Sequence, residues 1–533
     1  MTENKYNTIV VGGGIAGLTS AAYLSRAGQK VLLIEKNKEF GGLVNSFTHN
    51  GFHFEAGVRA LVNAGIILTM LKELGIHIEV VKSSVSLGIE NEIIDIETIN
   101  DLEKYRELLI KSFPDSKIDI DEFIRIIRKI MKHMDVLYGI ENPVFKDLKH
   151  ERTFIFKTLL PWLPKFIFTV RKINRLNMPV EDYLKNIIKN PSLRDIISQH
   201  FFKNTPTFFA LSYFSLYIDY FYPIGGVGKL SLALQNKILE CGGELKPETK
   251  IIEVLADKKL VLDQNNISYQ YDNLIWASDL KTLYKIAVTD GLEPKIRLNY
   301  EERKNTMLQN RGTDSIFSLF LEVDEPLESF RKIGNGHFFY NPSKMGLGET
   351  HRKELYELLS NFQNVEKEEI LAWLDKFTEL NTYEISIPGL KDSELVPPGK
   401  TGVIISLLAE YDLFKAIQKA GWLDEFTSEM ENRMIKVITD SIYPMLKDKV
   451  MARFSFTPLS IENRIGSSEG AIVGWAFQKS MPVVNKIQIS DRSVLTPIPS
   501  IYQAGQWAYS PAGVPMSILT GKLAADKVLK KRP

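Results

Sequence analysis

The distribution of apolar residues at the start of the chain predicts one strand–helix–strand unit. The β-branched run at 8–11 is typical of a buried parallel strand. Apolar residues then recur at helical spacing between residues 18 and 24, and a second strand-like run covers 30–35. Parallel strands need a crossover connection, which is usually a helix, so this end of the chain predicts a βαβ unit.

Residues that follow this unit predict a hairpin, and a later segment predicts a helix. The runs 44–48 and 52–54 are separated by Asn50-Gly51, which is a strong signal for a type I′ turn. Apolar residues at helical spacing predict a helix over 226–240, and the glycine pair 242–243 ends it.

The remaining strand patterns lie from residue 250 onward. Strands are predicted at 250–255, 260–263, 273–277, 313–325, 383–387, 402–408, 450–457 and 501–504. A last helix is predicted from Pro515 onward, because proline favours the first turn of a helix and apolar residues follow at helical spacing.

The structure of two segments in the first half of the chain is predicted from their composition. Residues 66–205 are rich in isoleucine, leucine, lysine and phenylalanine with helical periodicity, as in 118–137, and predict a helical region. Residues 208–222 are dense in aromatic side chains. They are interpreted either as a packing element or as the wall of an apolar tunnel, since rings offer flat dispersion contacts to an extended polyene.

The segment 153–172 is the nearest approach to a membrane span. Lys157, Pro161, Pro164 and Lys165 interrupt it, so no uninterrupted apolar run of about 18 residues exists and no transmembrane helix is predicted. The basic residues that flank it are Lys146, Lys149, Arg152, Arg171 and Lys172. The segment is interpreted either as lying in a membrane interface, with lysines reaching to water, or as a buried helical hairpin.

Composition narrows the class of protein. A chain of 533 residues is too long for one ordinary core, so two domains are expected. The formal net charge of +1 gives no field that favours nucleic acid. The single cysteine, Cys241, excludes a disulfide framework and a cysteine-based zinc site, and the 8 histidines show no metal-ligand spacing, so no metal is predicted. The start of the chain has no apolar leader, which predicts a cytoplasmic protein, or one held peripherally on the inner face of the membrane through 153–172.

The glycines of the first βαβ unit indicate a dinucleotide site. Gly12, Gly14 and Gly17 form G-x-G-x-x-G between the first strand and the helix. The first makes the tight turn, the second admits a pyrophosphate to the backbone, and the third lets helix and strand pack closely. Glu35 ends the second strand, where an acid hydrogen-bonds a ribose hydroxyl and favours FAD or NAD over NADP.

The stretch after Glu35 separates FAD from NAD by resemblance. Gly41-Gly42, the hairpin and Glu55-Ala-Gly57 are similar to the FAD enzymes that include amine oxidases and phytoene desaturases. The chain resembles the phytoene desaturase, carotenoid isomerase and retinol saturase branch over nearly its whole length. The motifs that carry the resemblance are GGGIAGL with Glu35, GFHFEAGVR, FYPIGGVGKLSLAL, YEISIPGLKDSELVPPGKTGVIISLL and GQW…PAGVP. Leu43 and Gln506 depart from that branch, whose desaturases usually carry arginine and often aspartate at these places.

The resemblance implies a fold and a cofactor. The fold is α/β, with a Rossmann-type FAD-binding domain at 1–65, 218–292 and 465–533 and an interleaved α+β substrate domain at 66–217 and 293–464. The cofactor is FAD, and the backbone at Ile251 is expected to contact its adenine. The residues expected to bind FAD are Gly12, Gly14, Ile15, Ala16, Gly17, Glu35, Lys36, Gly41, Gly42, Leu43, Gly57, Val58, Arg59, Ile251, Gly505, Gln506, Gly513, Val514 and Pro515.

The C-terminal glycines fit the same interpretation. Gly505 permits a close approach to a ribityl chain, and Gly513 lets the backbone pass beside the flavin ring. The helix that starts at Pro515 directs its positive end toward the flavin, where it stabilises the negative charge of the reduced ring. The alternative is a docking helix without a ligand, which leaves the two glycines and the proline unexplained.

The predicted activity is hydride transfer at a carbon–carbon bond of a long apolar isoprenoid or polyene lipid, by desaturation, saturation or isomerisation. No catalytic side chain stands out, and Arg59 is interpreted as stabilising reduced flavin, as binding a polar substrate end, or as a structural ion pair. Two alternatives are a flavin amine oxidase and a prenyl-binding escort protein without flavin. The sequence leaves the oligomeric state and the electron acceptor open.

Overall fold

The computed structural model of the chain describes residues 5–148 and 150–530. Lys149, one of the basic residues that precede 153–172, lies outside them. The strands, in chain order, are β1 Lys5–Val11, β2 Val31–Ile34, β3 Ser46–His49, β4 Phe52–Glu55, β5 Leu61–Val62, β6 Val80–Lys82, β7 Val85–Ile89, β8 Glu92–Ile96, β9 Tyr220–Pro223, β10 Glu244–Lys246, β11 Ile251–Leu255, β12 Leu260–Asp263, β13 Ser268–Trp276, β14 Ala287–Val288, β15 Ser315–Val323, β16 His337–Asn341, β17 Tyr383–Ser386, β18 Thr401–Ala409, β19 Val450–Phe456 and β20 Ile501–Gln503.

The helices lie between these strands or after the last of them. In chain order they are α1 Ile15–Arg26, α2 Ile67–Leu74, α3 Leu102–Ser112, α4 Lys117–Tyr138, α5 Arg152–Phe154, α6 Leu160–Ile173, α7 Val180–Lys185, α8 Pro191–Ser198, α9 Thr207–Leu211, α10 Tyr213–Asp219, α11 Gly228–Glu240, α12 Leu280–Ile286, α13 Pro294–Gln309, α14 Leu327–Arg331, α15 Gly348–Ser360, α16 Lys367–Leu380, α17 Tyr411–Ala420, α18 Leu423–Ser441, α19 Pro458–Ile465 and α20 Val514–Lys530. Helices α3 to α10 follow one another between β8 and β9. A π-helical turn at Ile155–Leu159 joins α5 to α6.

An eight-stranded sheet includes the first strand, β1, and the last strand, β20. Its order is β10-β2-β1-β13-β12-β11-β14, and β20 also pairs with β13. The strands β10, β2, β1, β13 and β20 run parallel to one another, so their carboxyl ends meet at one edge. Helices α1 and α20 pack together on this sheet, and Ser20 Oγ donates a hydrogen bond to the carbonyl of Gly521 over 2.9 Å. The predicted βαβ unit is confirmed, and the C-terminal strand and helix lie beside it.

A seven-stranded sheet forms a second layer. Its order is β19-β15-β18-β17-β16-β7-β8, and most of its neighbours are antiparallel. One apolar core, which includes Phe317, Leu319, Ile385 and Ile405, covers one face of this sheet. Strands β7 and β8 correct the expectation that 66–205 is helical. Their hairpin turns at Glu90, which has a φ of 53°, and a turn without glycine or proline gives little local signal.

The other local predictions are confirmed by the elements that form. The hairpin is β3–β4, and Asn50 and Gly51 have φ values of 49° and 84°, as a type I′ turn requires. The helix predicted over 226–240 is α11, and the helix predicted from Pro515 is α20. Each strand predicted between residues 250 and 504 is present, with ends that shift by a few residues.

The segment 153–172 is a helix that lies mostly outside the core. Among the described residues, one helical stretch, Arg152–Ile173, is long and apolar enough to cross a membrane by length and composition alone, and 11% of its most apolar window is buried. The interpretation as a buried hairpin is therefore wrong. The prediction that no transmembrane helix exists stays a prediction.

Candidate functional site

A cleft opens at the carboxyl ends of the parallel strands, between the first turns of α1 and α20. Of the residues expected to bind the cofactor, the cleft is lined by Gly12, Gly14, Ile15, Ala16, Glu35, Gly41, Gly42, Leu43, Val58, Gly505, Gln506, Gly513 and Val514. The structure thus brings together residues from both ends of the chain, as the two glycine motifs predicted.

Six of the expected residues do not line this cleft. They are Gly17, Lys36, Gly57, Arg59, Ile251 and Pro515. Ile251 is buried in the core of the sheet, and Pro515 lies in the first turn of α20. Lys36 Nζ donates to the carbonyl of Asn463 over 3.1 Å. Their assignment to the cofactor stays a prediction.

The three motif glycines have different surroundings. A Cβ on Gly12 would lie 2.6 Å from the carbonyl oxygen of Ala277, and Gly12 has a φ of +107°. A Cβ on Gly17 would lie 1.9 Å from the carbonyl oxygen of Gly12, so this glycine lets helix and strand approach. A Cβ on Gly14 would meet no atom of the described residues within 4 Å. Gly12 and Gly17 are therefore required by the fold, whereas Gly14 faces open space in the cleft.

The carboxylate of Glu35 is held at the mouth of the helix. Glu35 Oε2 accepts a hydrogen bond from the backbone N–H of Gly13 over 2.7 Å, and Oε1 accepts one from the backbone N–H of Asn37 over 2.9 Å. These bonds fix the carboxylate in the cleft, next to the glycine loop. The position fits the predicted role toward a ribose hydroxyl.

The glycine pair 41–42 lies over the first glycine loop. The N–H of Gly41 donates to the carbonyl of Gly13 over 2.8 Å, and a Cβ on Gly42 would lie 3.4 Å from Gly14 Cα. Both residues have positive φ, which glycine adopts readily.

The C-terminal side of the cleft is formed at the start of α20. The N–H of Gly505 donates to Thr520 Oγ1 over 2.9 Å, which fixes the loop 505–513 against the helix. Gly505 has a φ of +96°. Gly513 lies at the mouth of α20, where the atom nearest to an added Cβ would be Pro515 Cδ at 4.0 Å. The helix is 17 residues long, and its positive end faces the cleft.

These features fit FAD. An open glycine at the first helix, a carboxylate for the ribose, a second glycine pair and a second helix N-terminus surround one cleft. Helix N-termini and backbone N–H groups are suited to a pyrophosphate and to the negative charge of a reduced flavin.

A second cavity lies against the seven-stranded sheet. Its walls are mostly aromatic and aliphatic and include Phe214 and Tyr217 of the aromatic run and Phe339 of β16. Polar groups enter it at His200, Asn341 and Thr382. Burial lowers the pKa of the His200 imidazole to about 4, so this ring is neutral near neutral pH. The interpretation of residues 208–222 as a packing element is confirmed, because Phe214 and Tyr217 are buried core residues. Both also line the cavity, and their role as the wall of a tunnel stays a prediction.

A polar cluster lies between the cavity and the cleft. The guanidinium of Arg59 donates to Ser318 Oγ and Ser406 Oγ, each over 3.0 Å, and to the carbonyl of Glu55 over 2.6 Å. Lys391 Nζ donates to the carbonyl of Arg59 over 2.8 Å. Because Val58 lines the cleft, this cluster begins one residue from the cleft wall.

Arg59 is almost completely buried in this cluster, and Lys391 and Glu384 are partly buried. Burial lowers the pKa of Lys391 to about 7, and it also lowers the pKa of Arg59. Neither cation forms an ion pair within residues 5–148 and 150–530, so the interpretation of Arg59 as a structural ion pair is wrong. Burial raises the pKa of Glu384, but His337, Arg59 and Lys391 outweigh it and hold this pKa below the usual range.

Several residues of the site were not predicted from the sequence. In the cleft they are Asn37, Val44, Ala277, Ser278, Asp279, Ile465, Gly466, Ser467, Ile472, Val473, Ala504, Trp507 and Ser517. In the polar cluster, Ser318, Ser406 and Glu384 are polar residues that interrupt mostly apolar strands. Such interruptions are a usable signal, although the sequence does not tell which of them face each other.

Comparison with protein families matches residues 15–529 to the family described as flavin containing amine oxidoreductase. The chain is 20% identical to an all-trans-retinol 13,14-reductase of Danio rerio, over 99% of this chain and 86% of that protein. A second Danio rerio protein, named inactive all-trans-retinol 13,14-reductase, is 23% identical over the same shares. A phytoene desaturase of Fusarium fujikuroi is 22% identical over 99% of this chain and 90% of its own.

Solved structures share the fold. A putrescine oxidase variant superposes with a TM-score of 0.62 at 14% identity, covering 99% of each chain. At this identity the likeness shows the fold alone, which confirms the α/β architecture expected from the sequence.

Proposed function

This chain belongs to the flavin containing amine oxidoreductases and uses FAD, and we propose that it transfers a hydride between FAD and a carbon–carbon bond of a long apolar isoprenoid or polyene lipid. The observation that carries this proposal is the aromatic cavity beside the cleft, with Phe214, Tyr217 and Phe339 in its wall. Flat rings and aliphatic side chains stabilise an extended polyene by dispersion and by excluding water. The relatives named as retinol reductases and phytoene desaturase support the same substrate class.

The bound flavin supplies the hydride acceptor or donor, and the protein supplies position and electrostatics. Removal of a hydride and a proton from adjacent carbons gives desaturation, and their addition gives saturation. Cis–trans isomerisation results when reduced flavin acts only transiently, so that neither the polyene nor the flavin is oxidised or reduced overall. We keep these three outcomes together, because the cavity and the polar cluster suit each of them.

We further propose that FAD is bound by the residues that line the cleft together with the six that do not. In this assignment the first glycine loop and Gly41-Gly42 hold the pyrophosphate, and Glu35 holds the ribose. The loop that begins at Gly505 and the first turn of α20 face the flavin ring. Segments 1–65, 218–292 and 465–533 would then form the FAD-binding domain, and 66–217 and 293–464 the substrate domain.

We propose that the helix Arg152–Ile173 lies in a lipid interface at the inner face of the membrane. Its exposed apolar side chains are Phe156, Leu160, Leu163, Ile167 and Phe168. Basic residues at both ends suit anionic headgroups. A water-insoluble substrate has to leave the bilayer, so an entrance at the interface lets it enter without crossing water.

Anaerobic visible spectroscopy of the FAD-loaded protein tests the main proposal. All-trans-retinol, β-carotene and phytoene are added to the oxidised protein and then to the dithionite-reduced protein, and the polyenes are separated afterwards. Loss of the absorption band of oxidised flavin in the first arm supports desaturation. Return of that band in the dithionite-reduced protein supports saturation. A changed ratio of polyene isomers, with no change in the flavin spectrum, supports isomerisation. Unchanged polyenes in both arms, with flavin reduced by putrescine instead, would favour the amine oxidase alternative and overturn the proposal.

A further inference from the structure

One row of residues runs across the seven-stranded sheet from Arg59 to the aromatic cavity. Directly paired residues share a face of a sheet. Ser318 pairs with Ser406, Ser406 pairs with Glu384, and Glu384 pairs with Phe339. Both serines accept hydrogen bonds from Arg59, whereas Phe339 lines the cavity. Glu384 therefore stands where the polar part of this face meets the apolar part.

Glu384 has one carboxylate oxygen that accepts a hydrogen bond from the protein and one that is available to a ligand. Its Oε1 lies 3.0 Å from His337 Nε2, and a carboxylate held below its usual pKa has no proton to give, so Nε2–H donates. In the described part of the chain, Oε2 accepts no hydrogen bond from a protein group. The side chain keeps 28% of its surface accessible, while His337 keeps 3%. The free oxygen therefore belongs to the more accessible side chain of the pair, which lies beside Phe339 at the edge of the cavity.

Lys391 is a donor with one N–H to spare on the same face. Its Nζ donates to the carbonyl of Arg59 over 2.8 Å and to Ser386 Oγ over 3.1 Å. In its ammonium form, which prevails below its pKa of about 7, the group has three N–H bonds, so one is left. Ser386 lies two residues from Glu384 along β17 and pairs with His337, which places the lysine beside the carboxylate–imidazole pair.

The ligand of such a cluster has to both donate and accept. A pure hydrocarbon would desolvate the carboxylate without replacing its hydrogen bonds, which is unfavourable. A carboxylate would place its negative charge beside Glu384, an ammonium group would place its positive charge beside Arg59 and Lys391, and a ketone has no proton to donate. A hydroxyl group donates to Glu384 Oε2 and accepts from Lys391, and it is neutral.

We propose that Glu384 and Lys391 form a receptor for a hydroxyl group at the end of an otherwise apolar polyene. This inference rests on the proposed function and narrows its substrate class to polyene alcohols. The cluster adjoins Arg59, and Val58 lines the cofactor cleft, so the alcohol end enters first and the reacting bond lies within a few bonds of the oxygen.

Two matched ligand pairs test the receptor in the FAD-loaded protein. The short pair is all-trans-retinol and its deoxy hydrocarbon, and the long pair is zeaxanthin and β-carotene. Binding is followed by quenching of tryptophan fluorescence. In one of the pairs at least, the alcohol is expected to bind about 10- to 100-fold more tightly than the hydrocarbon, which is the usual penalty for leaving a buried charged acceptor unpaired. Retinoic acid and retinylamine should bind less well than retinol.

Substitutions of Glu384 test whether this residue causes the preference for the alcohol. Glu384→Gln should weaken the preference for the alcohol, and Glu384→Leu should abolish it while hydrocarbon binding is kept or improved. Glu322→Gln is the control, because Glu322 is buried in β15 of the same sheet and contacts His49 and Asn50 instead.

The outcomes separate the two proposals. Equal affinity of alcohol and hydrocarbon in wild-type protein overturns the hydroxyl receptor and leaves polyene binding intact, even if no variant folds. A preference that survives in Glu384→Leu also overturns it. Binding of none of the four polyenes contradicts the proposed function itself.

Discussion

The guanidinium of Arg59 donates a hydrogen bond to Ser406 Oγ over 3.0 Å. This bond joins the loop after β4, whose neighbour Val58 lines the cofactor cleft, to a central strand of the seven-stranded sheet. The same nitrogen also donates to Ser318 Oγ, and the two hydroxyl groups lie 2.9 Å apart. Within the described residues this buried cation forms no ion pair, and hydroxyl and carbonyl oxygens accept its hydrogen bonds instead.

Removing both serine hydroxyls is expected to destabilise the protein by more than the sum of the single changes. In Ser318→Ala or Ser406→Ala one hydroxyl still accepts from Arg59, so each single variant should lose about 1 kcal/mol. The double variant leaves a charged donor unpaired, and we expect a loss of about 3 kcal/mol. Urea unfolding of the FAD-loaded protein measures this. Ser360→Ala, at an exposed site, should change stability by less than about 0.5 kcal/mol. Strictly additive losses would contradict the shared role.

Alanine substitutions of Gly14 and Gly17 are expected to affect different properties: the first FAD binding, the second folding. In Gly14→Ala the new methyl group meets no atom of residues 5–148 and 150–530 within 4 Å, so the FAD-free protein should unfold at the wild-type temperature. The methyl group would occupy the space of the pyrophosphate, so FAD affinity should fall by about tenfold or more. In Gly17→Ala the methyl group would lie 1.9 Å from the carbonyl oxygen of Gly12, so folding itself should fail. Thermal unfolding without FAD and flavin content after purification measure the two effects. Gly14→Ala protein with a full flavin content would refute this placement of the cofactor.

Replacing two exposed rings of the helix Arg152–Ile173 is expected to reduce membrane binding. Phe156 and Phe168 are 67% and 59% exposed, and burial of each in lipid contributes about 2 kcal/mol. Phe156→Ser/Phe168→Ser should therefore lower the fraction that floats with anionic vesicles by about tenfold or more, with little change in unfolding temperature. Leu298→Ser is the control, since Leu298 is 71% exposed on α13. Equal flotation of the variant and the wild type would show that this helix is not the contact.

The buried Lys391 predicts a pH-dependent stability. Its pKa is lowered by burial from 10.5 to about 7 in the folded protein, so the unfolded chain binds more protons between these values. Stability should therefore rise with pH across this window, by at most about 1.4 kcal/mol per pH unit from this group, and its deficit is largest below about pH 7. Lys391→Met removes the deficit, so its gain in unfolding temperature over wild type should be larger near pH 6 than near pH 9.5.

Lys447→Met serves as the matched control for this series, because Lys447 is exposed. Its unfolding temperature should follow that of the wild type at every pH. A gain for Lys391→Met that is independent of pH would mean that this lysine is charged with an ordinary pKa in the folded protein.

The glycine loops of the cleft were predictable from the sequence because their geometry is local. Gly12, Gly41 and Gly505 all adopt positive φ. In both terminal regions the sequence itself shows a strand, then glycines, then a helix. The hairpin at Asn50-Gly51 was predictable for the same reason.

The polar cluster depended on tertiary structure. Arg59, Ser318 and Glu384 come from distant parts of the chain, and nothing in the local sequence around them shows that they meet. Lys391 follows Glu384 by seven residues, within a polar run that gives no sign of this contact. Only the register of β15, β18, β17 and β16 puts the two serines, Glu384 and Phe339 in one row, because a shift of one residue in any strand would turn its side chain to the other face. The sequence by itself determined the cofactor and the local turns that admit it. The pairing of strands far apart in the chain decided which polar groups meet the substrate, since such pairing depends on how the whole core packs.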